Sequence, residues 1–438
     1  MTLLQRLPRR PDLLAIHRRD PDAWPFLLQS ASPGEGIGRW SLLLRAAPGR
    51  QPLIARAGDE PFLPRLDRAF AGERGAQRGA LPFEGGWFVY LGYELSGEIE
   101  PTLTLPPVPD ATPIAYARRC DAALLIDHID GSAYAAAEHD QALQAAVGAA
   151  ADAHQPDAEP MLPDLPPIRP EPGERFLRGV ERIREYILAG DVFQVNLSRE
   201  WSGRCERPLD PADVYHRLTR SNPSPFGGLA RLPGGALLSS SPERLVTVRN
   251  EIVSARPIAG TRPRGRSPEH DRALSTELLA HPKERAEHIM LIDLVRNDLG
   301  RISRPGTVEV DELMVIESYA HVHHIVSNVR GRLNIGATPA DIIRACFPGG
   351  TITGCPKVRC MQIIAELESG GRGFYTGSMG YLGLDGRLDL NILIRSMLVG
   401  ESGIRFRTGA GIVADSRPDA ELAETGDKAR GLMRALEH

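Results

Sequence analysis

Residues 156–174 read PDAEPMLPDLPPIRPEPGE, a run with seven prolines. Proline has no N–H to donate and a fixed φ, so such a run can continue neither a helix nor a central strand. It reads as an extended linker. The chain therefore divides into an N-terminal portion, residues 1–155, the linker, and a larger C-terminal portion, residues 175–438. A chain of 438 residues can bury one large core or several smaller ones.

On the N-terminal side, PFLLQ and WSLLL flank the turn-rich SASPGEG and predict two strands. EGGWFVYLGYEL (84–95) and residues 122–126 predict two more, and the alanine-rich stretch within 135–152 predicts a helix. Beyond the linker, Phe176, Val180, Ile183 and Ile187 recur at helical spacing, and Gly190 closes that helix. A strand follows in DVFQVNLSREW. Helices are expected at 211–220, 270–281 running on toward 298, 339–346, 356–367 and 419–436. Strands are expected at 226–231, 236–240, 244–249, 375–383, 388–399 and 404–407. Paired strands between helices point to an α+β class rather than to a parallel βαβ succession.

Composition narrows the function. A net charge of −4 and 5% aromatic residues argue against a nucleic-acid interface. No run reaches the roughly 18 apolar residues that a membrane helix needs. No secretory h-region follows MTLLQRLPRR, so cytoplasmic residence is expected. The five cysteines show no CxxC spacing and read as reduced thiols. GxGxxG at a strand–helix junction and GxxxxGK[ST] are both missing, which removes the usual support for a nucleotide cofactor.

Several segments carry side chains suited to chemistry. Glu284 and Glu287 lie three apart on one predicted helix, and Glu421 and Glu424 repeat that spacing on the last. Four carboxylates on two helices could hold a hard divalent cation, or could be solvated ion pairs beside Lys283, Arg285 and Lys428. Gly260–Thr261, CFPGGTITGCPK and Gly409–Ala410–Gly411 are glycine-rich bends that admit a close anion, or are plain turns. Arg395 ends LDLNILIR, where a guanidinium on an apolar strand calls for an anion, with Tyr381 placed to complete the grip. In HVHH, strand alternation sets His321 and His323 against His324, so the three cannot share one zinc. A single histidine moving a proton fits better.

Together, GDVFQVNLSR, SPERLV, RPIAGTRPRG, KERAEHIMLIDLVRNDLGRI, HVHHIVSNVRG, FPGGTITGCPK, TGSMGYL, LNILIRS, TGAGIVADS and ELAETGDKA resemble the chorismate-utilising enzymes over most of residues 176–436. The resemblance implies an α+β fold of two antiparallel sheets packed as a sandwich with helices outside. It implies a Mg²⁺ ion on Glu287 and Glu424, with Glu284 and Glu421 assisting through water. It places the substrate's pyruvyl carboxylate against Arg395, Tyr381 and Gly409–Gly411, with Gly260, Thr261 and Lys428 also at the substrate. Glu243 and His324 match the family's proton-handling residues. PFLLQS and NPSPFG resemble the walls of a tryptophan pocket and leave open whether tryptophan binds.

FPGGTITG, HVHH, NLSR and LNILIR favour aminodeoxychorismate synthase component I within that family. Ala259 in PIAGT is instead the residue of anthranilate synthase component I, the alternative. Either activity would draw ammonia from a separate glutamine amidotransferase subunit.

Overall fold

The computed structural model describes residues 2–31, 38–75, 79–153, 167–205, 207–319, 322–401 and 403–437. Most of the proline-rich run, most of SASPGEG and His321 lie outside the described residues.

One long strand, Ala115–Asp127, organises the sheets. Its C-terminal half pairs antiparallel with Trp40–Ala46, and its N-terminal half with Gly86–Leu91. A first arm leads from Trp40–Ala46 through Phe26–Gln29, Phe226–Leu232, Gly235–Ser241, Ser396–Gly400 and Gly403–Ile412 to Gln194–Arg204. A second leads from Gly86–Leu91 through Ser378–Gly383, Leu388–Asn391, Arg244–Arg249 and Ile252–Ala255 to Val322–Arg332, which also pairs with Ile258–Pro263 and Glu309–Ser318. All of these pairings are antiparallel.

The two arms pack face to face. Phe26 stacks on Phe88 at 3.9 Å between ring centroids, and Leu44, Tyr90, Tyr116, Leu237, Met379 and Leu398 fill the layer around them. Each such fully buried side chain contributes about 1.5–3 kcal/mol of apolar transfer. Helices Leu13–Arg19, Asp140–Ala151, Pro211–Ser221 and Pro418–Arg434 cover the outer face of the first arm. Helices Phe62–Glu73, Pro282–Gly300 and Pro339–Cys346 cover the second. The expected α+β sandwich with outer helices is what forms. Strands from both sides of the proline-rich run pair with one another, so the cores are shared between the two portions.

Twice the chain steps from one arm to the other at the same corner. It crosses between Gly235–Ser241 and Arg244–Arg249, and again between Leu388–Asn391 and Ser396–Gly400. Such corners need a local break in the strand. The expected continuous strand 388–399 is interrupted at 392–395 because its pairing partner changes there, although the apolar alternation runs straight through. The expected helix 270–298 is likewise two helices, Pro268–Ala280 and Pro282–Gly300. Pro282 cannot continue the first, and the His281 ring accepts from the Glu284 N–H to start the second.

Candidate active site

The two crossings carry two of the expected functional residues. Glu243 lies on the first and Arg395 on the second, and backbone bonds tie the corners together. Ile392 N–H donates to Glu243 O at 3.0 Å, the Ser241 hydroxyl to Ile392 O at 2.5 Å, and Ser240 N–H to Arg395 O at 3.0 Å. Arg395 has φ +50°, outside any strand, so the expectation that it closes a regular strand is corrected. Its guanidinium makes no hydrogen bond or ion pair among the described residues. Burial lowers its pKa, opposed by Tyr375 and Glu424 nearby.

Glu243 is buried, and the Thr351 hydroxyl donates to its Oε1 at 2.8 Å. Burial pushes its pKa up to about 7, against the Thr351 bond and a backbone bond from Ile258. His324 stands opposite Thr261 across the strand pair, its Nδ1 2.9 Å from the Thr261 hydroxyl and 3.4 Å from Gly260 O. Burial pushes the His324 pKa down to about 4, and Arg395 is close enough to lower it further. The ring is therefore neutral at neutral pH. Its neighbour His323 faces away and bonds Ser318 and Asp271 at 2.7 and 2.9 Å.

Gly260 has φ +71°, and a Cβ there would meet Glu284 Oε2 at 2.9 Å, so the glycine admits the acidic helix. Glu287 is raised by burial and by the charges of Glu284, Glu421 and Glu424, against Lys283. The two glutamate pairs thus converge electrostatically. Each is meanwhile held by its own partner. Glu424 pairs with Lys428 at 2.7 Å, Glu287 with Lys283 at 3.9 Å and Glu284 with Arg262 at 3.2 Å, while Glu421 bonds Ser416. Among the described residues no three metal-binding side chains gather as a cluster. An all-oxygen, partly buried, mutually repelling donor set nonetheless suits a hard divalent cation, which would relieve that repulsion. Lys357, at the end of CFPGGTITGCPK, bonds the protein's own Asp298 at 2.7 Å.

Lys428 also donates to Gly409 O at 2.9 Å, which joins the acidic helix to the glycine bend. A Cβ on Gly409 would meet the Tyr375 hydroxyl at 2.8 Å, and Ala410 is fully buried beside it. Gly411 packs against the Gln194 side chain.

The tyrosine at this wall is Tyr375, whose hydroxyl has no partner among the described residues and whose pKa burial pushes up to about 12. The expected Tyr381 is not there. It packs edge-on against Phe83, 5.6 Å away, and feels Asp389, Arg244 and Arg387 rather than Arg395. One signal separates them in the sequence: Tyr375 stands among Gly371, Gly373 and Gly377, whereas Tyr381 lies in the apolar strand MGYLGL. The neighbours close a ring: Arg395, Tyr375, Gly409, Lys428, Glu424, the carboxylates, Gly260, Thr261, His324, and Arg395 again. The tryptophan-like segment is placed elsewhere, where Phe26–Gln29 pairs with Phe226–Leu232.

Comparison with known proteins agrees with this assembly. Residues 39–434 match the family model described as chorismate binding enzyme. An anthranilate synthase component I-like protein from Synechocystis is 44% identical over 82% of this chain and 74% of its own. Aminodeoxychorismate synthase component 1 of Bacillus subtilis is 42% identical over 81% and 77%. The crystal structure of anthranilate synthase component I from Streptococcus pneumoniae superimposes with TM-score 0.80 at 32% identity, over 90% of this chain and 92% of that one. The name anthranilate synthase component 1 recurs among relatives that span more than nine-tenths of this chain. The expected kinship with aminodeoxychorismate synthase component I is overturned by these matches, which favour anthranilate synthase component I. The short motifs behind that expectation lie in the shared C-terminal portion, while the match extends through the N-terminal strands as well. Among the described residues no helix is long and apolar enough to cross a membrane. The chain belongs to the chorismate-binding enzymes, with the fold of anthranilate synthase component I.

Proposed function

We propose that this chain converts chorismate and ammonia to anthranilate, pyruvate and water, as an anthranilate synthase component I. The observation that carries the reading is the pairing, in one ring of neighbouring residues, of a guanidinium and a tyrosine hydroxyl without partners among the described residues with four mutually repelling carboxylates. Chorismate presents two carboxylates. Arg395, the Tyr375 hydroxyl and the Gly409–Gly411 bend would take the pyruvyl carboxylate. Glu287 and Glu424, assisted by Glu284 and Glu421, would hold a Mg²⁺ ion, which when bound would neutralise the ring carboxylate.

The protein's own residues then handle protons. Ammonia adds at C2 and the C4 hydroxyl leaves with allylic transposition. Hydroxide leaves poorly, and Glu243, held near pH 7 by burial, supplies the proton that makes it water. Loss of pyruvate needs the C2 proton removed, a task for a neutral base such as His324, which its low pKa keeps unprotonated. Ammonia would come from a glutamine amidotransferase subunit in the cell and from an ammonium salt in the assay. Ala259 fits this reading, since it offers no amine to attack C2.

The test is to incubate purified protein with chorismate, Mg²⁺ and ammonium salt and to separate the products. Anthranilate formed without any added enzyme is expected. 4-Aminobenzoate appearing only after addition of 4-amino-4-deoxychorismate lyase would overturn the proposal, and unchanged chorismate would point to a binding protein.

A further inference from the structure

Behind the glycine bend lies a charged group that cannot reach substrate. Arg372 and Glu368 are each 1% exposed and form a two-pronged pair at 2.7 and 3.0 Å. Glu368 also accepts from Arg407 at 3.0 Å and from the Ser198 hydroxyl at 2.8 Å. The remaining Arg372 donors go to Asn196 O at 2.7 Å, Ile352 O at 3.1 Å and the Thr376 hydroxyl at 3.2 Å. Its guanidinium carbon lies 5.5 Å from the centre of the Tyr375 ring and 4.9 Å from that of Tyr93. Burying an ion pair in place of apolar residues brings no stability as a rule. Here the donors not spent on Glu368 are used on segments that border the site: the strand beneath Gly409, the GTITG bend, and the turn that carries Tyr375. That turn is left-handed at Gly373 and Thr376, so its path is not set by ordinary local preference.

We propose that Arg372 is a positioning residue for the substrate carboxylate: its buried guanidinium fixes the Tyr375 ring, and the backbone beside it, so that the Tyr375 hydroxyl meets the anion beside Arg395. The proposal rests on the reading that Tyr375 contacts that carboxylate. Lysine cannot replace the guanidinium, because it lacks both the flat face for the ring and the fork for Glu368. Tyr375 holds the carboxylate alike in ground and transition states, so its misplacement weakens binding more than turnover.

Steady-state kinetics at saturating ammonium salt and Mg²⁺ test it, using Arg372→Lys, Tyr375→Phe and the double variant. Each single change is expected to raise KM for chorismate about tenfold with kcat within about threefold, and the double to be no worse than the poorer single. If the two effects multiply to about a hundredfold, Arg372 acts through something other than Tyr375 and the proposal fails while Tyr375 keeps its place. If Tyr375→Phe leaves KM unchanged, Tyr375 is not at the carboxylate and the proposal falls with that reading. Should Arg372→Lys not fold, Tyr93→Leu removes the other ring beside the guanidinium, 4.9 Å away, and leaves every charge. A KM raised about threefold, and not raised further in the Tyr375→Phe background, supports the proposal; an unchanged KM overturns it.

Discussion

The two sides, or walls, of the candidate site are built in opposite ways. The basic wall is made of strands and corners, and its supports are complete without substrate: Arg372, Glu368 and Arg407 are buried and mutually bonded, and Ser240 fixes the backbone of Arg395. The acidic wall is made of two helices whose glutamates are partly exposed and tied to lysine, arginine and serine partners. The difference lies in what each wall can leave unpaired. A lone guanidinium beside a tyrosine hydroxyl is tolerable in a half-closed site. Four carboxylates near one another are not, and each is paired with a basic or hydroxyl group close by. One side is preformed, and on the proposed reading the other would be completed by the cation it holds.

The largest test of that contrast is on the acidic side. Glu287→Gln is expected to lower Mg²⁺-dependent turnover about a thousandfold while thermal unfolding is unchanged or shifts upward, since a repelling charge has been removed. Unaltered turnover would take Glu287 out of the cation site, and a marked loss of melting temperature would make this wall structural after all. On the basic side, Arg395→Met should lower kcat/KM about a hundredfold, the loss of roughly 3 kcal/mol of charged hydrogen bonding. Its effect should be no different at high and low Mg²⁺. If raising Mg²⁺ restored the activity, the two walls would not be independent. The smallest effect concerns the corner between them. With Glu243 protonated below about pH 7 and ionised above it, its role as donor is present at low pH and fades as pH rises. The rate should then fall about tenfold per pH unit well above 7, a limb that Glu243→Gln removes. A wild-type profile flat from about pH 6 to 9 would rule Glu243 out as the acid.

Much of this was legible before any coordinates. Alternation and helical spacing located most elements, because a strand with one buried face and an amphipathic helix write their periods into the chain. The placement of each glutamate pair on one helix was readable from spacing, and the opposed facing of His323 and His324 from strand alternation. Tyr375 was not. Strand alternation made Tyr381 the obvious partner for Arg395, but alternation says nothing across a corner, where the chain changes sheets and Arg395 leaves the strand. The same corner hid the break at 392–395, since the residues stay apolar through a crossing that is buried on both sides. The partners of Arg372 lie 3 positions away at Tyr375, 4 at Glu368 and Thr376, 20 at Ile352, 176 at Asn196 and 279 at Tyr93, and no local pattern joins the last three. The choice between sister enzymes failed for another reason. Both bind the same substrate, so the motifs that hold it are poor witnesses to which carbon keeps the nitrogen.

The doubled corner has one more consequence. Glu243 and Arg395 ride on adjoining crossings stitched by three hydrogen bonds, so a displacement of one corner carries the other with it. The span between the two residues is thereby set by the corner itself rather than by how the two sheets pack. The helices that supply the carboxylates are joined to the sheets differently, by side-chain bonds along their length such as Lys428 to Gly409 O and His288 to the Ser327 hydroxyl, rather than corner to corner.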